Sequence, residues 1–208
     1  MFLLAALLLS GCSFHRKESS LPPLPLLPPP GLAQHWQLSQ SVIFYPNCDD
    51  TSNCADPKTL NQSDLPMPPL QFIAAWSVTE QGLSLVGLTL AGQVLMTLGY
   101  DGEQLVEEYS PAFSSRGQAL KAPGRDIISL LQLSYWPLDM IHRQLQTGPW
   151  LLVARGADRD LYLAQHRVLT INATPLVDET QIGQVITINN IPQRYRLKIT
   201  TLTQTALP

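Results

Sequence analysis

From Trp36 onward, apolar and polar residues alternate with a period of two over one short run after another, the pattern of strands with one buried face. Phe72, Ala74, Trp76 and Val78 fall on one side of such a run, and Ile73, Ala75 and Ser77 on the other. A turn at Gln81-Gly82 leads into a second run over residues 83–90, and a third run, 94–100, ends at Asp101-Gly102. Glycine beside a polar residue between two apolar runs is hairpin chemistry, so these segments predict consecutive hairpins of an antiparallel sheet. After a loop rich in Ser, Gly and Pro the period changes: Ile127, Leu130, Leu131 and Ser134 share one helical face, with Asp126 at its start. Pro137 stops that helix and opens a second, whose apolar residues are Leu138, Ile141 and Leu145.

Beyond Gly148 strands resume over residues 150–155, 160–165, 167–173, 184–189 and 194–203. Turn chemistry stands at 156–158, 172–175 and Asn189-Asn190. The last run sets Tyr195, Leu197, Ile199 and Thr201 against Arg196, Lys198 and Thr200, one buried and one wet face. Strands, a short helical insertion and strands again predict a mainly β, α+β chain. The expected architecture is an antiparallel, strongly curved sheet or incomplete β-barrel whose helices cover the concave side.

The first residues obey a different pattern. Residues 1–9 are an almost unbroken apolar run, followed by Ser10, Gly11 and Cys12 and then by polar Ser13, His15, Arg16, Lys17 and Glu18. The run is shorter than the roughly 20 residues of a spanning helix and ends in small residues, as a cleavable signal peptide does. Leu9-Ser10-Gly11-Cys12 resembles the lipobox of bacterial lipoproteins, which implies lipidation of Cys12 after removal of residues 1–11. By the same resemblance Ser13, in place of Asp, implies the outer membrane. No Lys or Arg lies between Met1 and Cys12, and the start codon is therefore expected upstream. Six prolines stand between Pro22 and Pro30, which predicts an extended spacer of about 3.1 Å per residue whose leucines stay out of the core. The expected organisation is a signal over 1–11, a lipidated Cys and Pro-rich spacer over 12–35, and one β-rich domain over 36–208.

Composition narrows the function. Charged residues make up 14% of the 208 and hydrophobic ones 45%, with a net charge of -3 and no block of like charge, so the electrostatic footprint of a nucleic-acid binder is missing. The charge content is lean for a soluble domain and leaves more apolar surface than one core needs. Of the three cysteines, Cys48 and Cys54 are expected to form a disulfide closing a short loop in an oxidising compartment. Their spacing is not that of a paired CxxC metal site.

The order of features from Leu83 to Leu145, with the strand pair around Leu88-Thr89-Leu90-Ala91-Gly92, the Tyr100-Asp101-Gly102 turn and Tyr135-Trp136-Pro137-Leu138, resembles LolB, the outer-membrane receptor that accepts lipoproteins from a soluble carrier. Leu131-Gln132-Leu133-Ser134-Tyr135-Trp136-Pro137-Leu138 is similar to the signature of an uncharacterised lipoprotein family found beside aryl polyene biosynthesis genes. The resemblance implies a LolA/LolB-like incomplete barrel with a hydrophobic cavity for acyl chains such as palmitate, on the periplasmic face of the outer membrane. It implies a membrane-contacting loop at Leu90, a position that also fits an inward-facing strand residue. The candidate cavity wall is Trp76, Leu85, Leu98, Leu131, Tyr135, Trp136, Leu138 and Ile141. The same pattern, with Trp150, fits a packed core equally well.

Catalytic patterns are missing from the sequence: there is no GxSxG, HExxH or P-loop, and His15, His35, His142 and His166 are scattered. Asp139 and Arg143, four residues apart, read as a solvated helix pair, and residues 158–160 as a charged turn. The chain is expected to be a monomer that is not an enzyme and uses no cofactor and no metal. Its expected partner is a membrane lipid, an acyl chain or a polyene lipid, together with a periplasmic lipoprotein carrier. The alternative is a structural lipoprotein with a dry core that docks on an envelope or biosynthetic complex.

Overall fold

The computed structural model describes residues 21–29, 35–46, 48, 69–111, 113, 124–174 and 181–207. The signal segment, Cys12 and Cys54 lie outside them. Ten strands form one antiparallel sheet: β1 His35–Pro46, β2 Leu70–Thr79, β3 Gly82–Leu88, β4 Val94–Tyr100, β5 Leu105–Tyr109, β6 Trp150–Arg155, β7 Asp158–Leu163, β8 His166–Ala173, β9 Val185–Asn190 and β10 Tyr195–Leu207. Their order is β5-β4-β3-β2-β1-β10-β9-β8-β7-β6, so the first and last strands meet in the middle while β5 and β6 are edges. The sheet is open and curved, as a partly open barrel is. Two helices follow β5: α1, Gly124–Tyr135, and α2, Leu138–Leu145.

The alternation read from the sequence places the core on the predicted faces. Phe72, Ala74, Trp76 and Val78 are buried along β2, and Tyr195, Ile199 and Thr201 along β10, with Lys198 outward. Several boundaries move: β7 starts at Asp158 and β10 runs on to Leu207. β3 ends at Leu88, and residues 89–93 form a tight turn in which Gly92 N–H donates to Thr89 O at 2.9 Å and Thr89 N–H to Gln93 O at 2.8 Å. β7 stops at Leu163, with Ala164 and Gln165 at positive φ in the turn. Asn189 and Asn190 belong to β9, and the turn they were expected to make is at 191–194. β5 was not read as a strand, because its LVEEY run has neither alternation nor a buried face.

Register sorts the turns onto two rims. One, called upper here, carries the β2–β3, β4–β5 and β6–β7 turns and the start of β1. The lower rim carries the β3–β4, β7–β8 and β9–β10 turns and the starts of β2 and β6.

The Pro-rich segment corrects the sequence reading. Leu24 and Leu27 are 6% and 1% exposed and belong to the core. Having no internal hydrogen bonds, an extended Pro-rich strand leaves its backbone groups to outside partners, and α1 supplies them. Arg125 Nε donates to Leu24 O (3.2 Å), Ser129 Oγ to Pro25 O (2.7 Å), and Trp136 Nε1, just past the helix, to Pro28 O (3.1 Å). Gln132 does both jobs, its Nε2 donating to Leu27 O (2.6 Å) and its Oε1 accepting from Leu27 N–H (2.8 Å). Positions 125, 129, 132 and 136 follow helical spacing, so one stripe of α1 reads this strap. At its far end Pro29 packs so closely on the upper-rim turn that a Cβ on Gly102, at φ +106°, would lie 2.8 Å from Pro29 Cδ. α1 is thus sandwiched between sheet and strap, which is why Ser129 and Gln132 are fully buried.

Candidate functional site

The other stripe of α1, Ile127, Leu130 and Leu131, faces the sheet across an apolar cavity of about 50 Å³. The sheet side of the wall comes from alternate residues of five strands: Val42 and Phe44 on β1, Phe72 and Ala74 on β2, Leu85 on β3, Met96 on β4, and Tyr195, Leu197 and Ile199 on β10, with Phe113 from the segment after β5. Phe44, Phe72 and Tyr195 lie near the lower ends of their strands, so the cavity occupies the lower half of the barrel. Ligand sites run to about 300–1,000 Å³, and this volume lies well below that range.

Polar groups seal the cavity at both ends. Toward the upper rim, fully buried Gln40 accepts from Trp76 Nε1 (2.9 Å) and donates to Tyr135 Oη and to Thr201 Oγ1 (3.2 Å). The rings of Trp36, Trp76 and Tyr135 pack around it, with centroids 4.6–6.2 Å apart. A buried amide with its partners in place fixes one arrangement of its neighbours. Toward the lower rim, Asn190 Nδ2 donates to Tyr195 Oη (3.1 Å), and Gln193 Nε2 to the Asp126 carboxylate at the start of α1 (3.3 Å). Burial raises the pKa of the Tyr135 and Tyr195 hydroxyls and of the Asp126 carboxyl; Gln193 and Arg125 oppose the shift at Asp126. Outside this seal a groove of about 480 Å³ opens at the lower rim between the start of the strap, Trp150 and Pro192.

Of the residues expected to line a cavity, Leu85 and Leu131 do so. Trp76 and Tyr135 belong to the upper seal. Leu98, Trp136 and Ile141 are buried elsewhere in the core, and half-buried Leu138 packs against it. The reason is the strap: it draws Trp136 to its own side of α1. Phe44, Met96, Phe113 and Tyr195 went unassigned, although the Gln40, Val42, Phe44 alternation of β1 marks an inward face. Leu90 is 64% exposed in its turn, which removes the inward strand reading of this position. Cys48 is buried and disulfide-bonded.

Arg159, expected in a charged turn, reaches inward and donates to Leu133 O (2.6 Å) and Trp136 O (3.0 Å), satisfying carbonyls that the end of α1 leaves open. Burial lowers its pKa. Asp139 and Arg143 pair at 3.3 Å on an exposed face, as expected, while His142 Nε2 meets Leu152 O at 3.2 Å and ties α2 to β6. Among the described residues no group of three or more His, Cys, Asp or Glu side chains is arranged to hold a metal ion, and no helix is long and apolar enough to cross a membrane.

No curated protein matches the chain. Residues 65–203, which run from just before β2 through most of β10, match DUF3261, a family of proteins of unknown function, and the chain belongs to that family.

Proposed function

We propose that this protein is a non-catalytic, lipid-anchored envelope lipoprotein, LolA/LolB-like in architecture. In this reading it takes an acyl chain, of a lipid, a polyene lipid or a lipoprotein passed on by a periplasmic carrier, into the cavity between sheet and α1, for transport or insertion at the outer membrane. The observation that supports it is a wall of apolar side chains from five strands and one helix stripe, closed at each end by polar groups with their own partners. An alkyl chain is stabilised there by about 0.8 kcal/mol per buried CH₂, and α1 must lift from the sheet to admit it. The lipobox at Cys12 supports anchoring. The histidines His35, His142 and His166 stand on three separate elements, which supports a role without catalysis.

The small closed volume favours a second reading, a dry-cored docking lipoprotein. Fatty-acid titration separates the two. Ala74→Leu adds a side chain into the void, so on the first reading it abolishes uptake of a fluorescent fatty acid while the cooperative thermal transition is kept. Leu131→Asp, if folded, does the same by polarity. Wild-type protein that takes up no fatty acid supports the docking reading; uptake that survives both substitutions moves the site elsewhere.

A further inference from the structure

We infer that the lower rim is the surface that lies on the lipid bilayer, with the cavity's half of the barrel facing the membrane. This rests on the lipid-anchored reading above and adds an orientation to it. The strap carries the argument. It begins at Leu21 beside Pro192, Asn190 and Trp150, all at the lower rim, and ends with Pro29 against Gly102 at the upper one. The chain leading back to Cys12 therefore leaves the domain at the lower rim. Eight residues separate Cys12 from Leu21, nine steps with a reach of about 30 Å at 3.3–3.6 Å per residue. Strands of 5–13 residues make the wall roughly 20–40 Å tall at about 3.3 Å per residue. A lipid on Cys12 holds the lower rim against the bilayer, whereas turning the upper rim down would spend the whole tether along the wall.

The two rims differ in the chemistry a bilayer selects. Lower-rim turns expose Leu90, and Val94 follows it at 51% exposure. Leu21 and Leu151, at the starts of the strap and β6, are exposed at the same end. Among the described residues, the turns 89–93, 146–149, 164–165 and 191–194 include Arg194 and no acid. The upper-rim turns expose Glu80, Asp101 and Glu103, and Asp158 beside Arg155. Val106 and Ile182 are its exposed apolar residues. An anionic lipid surface repels the second set, and Leu21, Leu90, Leu151 and Val94 add apolar contact to the lipid on Cys12.

The test uses the full chain, exported and processed in a Gram-negative host. p-Benzoylphenylalanine is incorporated singly at Leu90, Val94, Gln104 or Ile182, the envelope is irradiated, and attached phospholipid is read by mass spectrometry together with the N-terminal peptide. The expected result is lipid attached from positions 90 and 94 and loss of that product to the unirradiated background at 104 and 182. Lipidated Cys12 with attachment equal on both rims, or stronger at 104 and 182, overturns the orientation and leaves the anchoring reading standing. An N-terminal peptide without acyl groups on Cys12 overturns both.

Discussion

Gln132 is the residue on which the strap depends most. Its amide holds both the N–H and the C=O of Leu27 inside the core, and a buried group stripped of its partner incurs the full desolvation penalty. Gln132→Ala is therefore expected to destabilise the fold by about 2–6 kcal/mol, two such groups at about 1–3 kcal/mol each, measured by urea denaturation; a loss under about 0.5 kcal/mol, the usual size for a surface change, would contradict the strap packing. Asp126 predicts a pH effect. Burial raises its folded pKa above the ordinary value, so the unfolded chain ionises first as pH climbs. The native state then loses stability between the ordinary carboxylate pKa and the raised one. Asp126→Asn keeps an acceptor for Gln193 and removes the titration. Denaturation midpoints should show the variant gaining on wild type as pH rises through that window; a difference independent of pH would refute the assignment.

At the scale of elements, the strap explains what periodicity alone does not show. An amphipathic helix presents one apolar stripe to a core, and the Ile127, Leu130, Leu131 stripe was legible because it obeys that rule. The polar Ser129 and Gln132 lie off that stripe and are buried because a second layer covers them. Likewise a run of prolines reads as a spacer, because composition reports that it forms neither helix nor sheet and is silent on whether something else satisfies its backbone. Leu27→Ala separates the two pictures: the packed strap predicts a loss of about 2–5 kcal/mol, as for a buried leucine truncated in a core, and a free spacer predicts none. The buried faces of β2 and β10 were legible through their alternation, although β10 runs four residues past the expected end. β5 was not, since as an edge strand with both faces half-open it has no reason to alternate. Of the site, Leu85 and Leu131 were found and the seal residue Gln40 was not, because a buried glutamine is recognisable only through the Trp76, Tyr135 and Thr201 groups that the fold brings to it. Arg159 belongs to the same class: two carbonyls at the end of α1 give it its role.

For the whole molecule, a sheet of ten strands whose edges among the described residues are β5 and β6 does not close on itself as a barrel does. Its concave face must be filled from elsewhere, and here the filling comes in two layers, α1 and then the strap. The upper half of the interior is packed around Trp76 and Leu98, both nearly inaccessible, while the lower half holds the void. In the proposed function, expansion of the lower half requires the Gly124 end of α1 to swing from the sheet about Tyr135, whose hydroxyl stays in the Gln40 seal. The most direct check is native mass spectrometry of the chain from Ser13 onward, exported to the periplasm of a membrane-bearing host, followed by extraction of whatever apolar molecule accompanies it. Acyl-chain binding predicts a lipid or polyene at one per protein, absent from Ala74→Leu. A bare protein mass that also takes up no added fatty acid would contradict the cavity's role and leave a packed, docking domain.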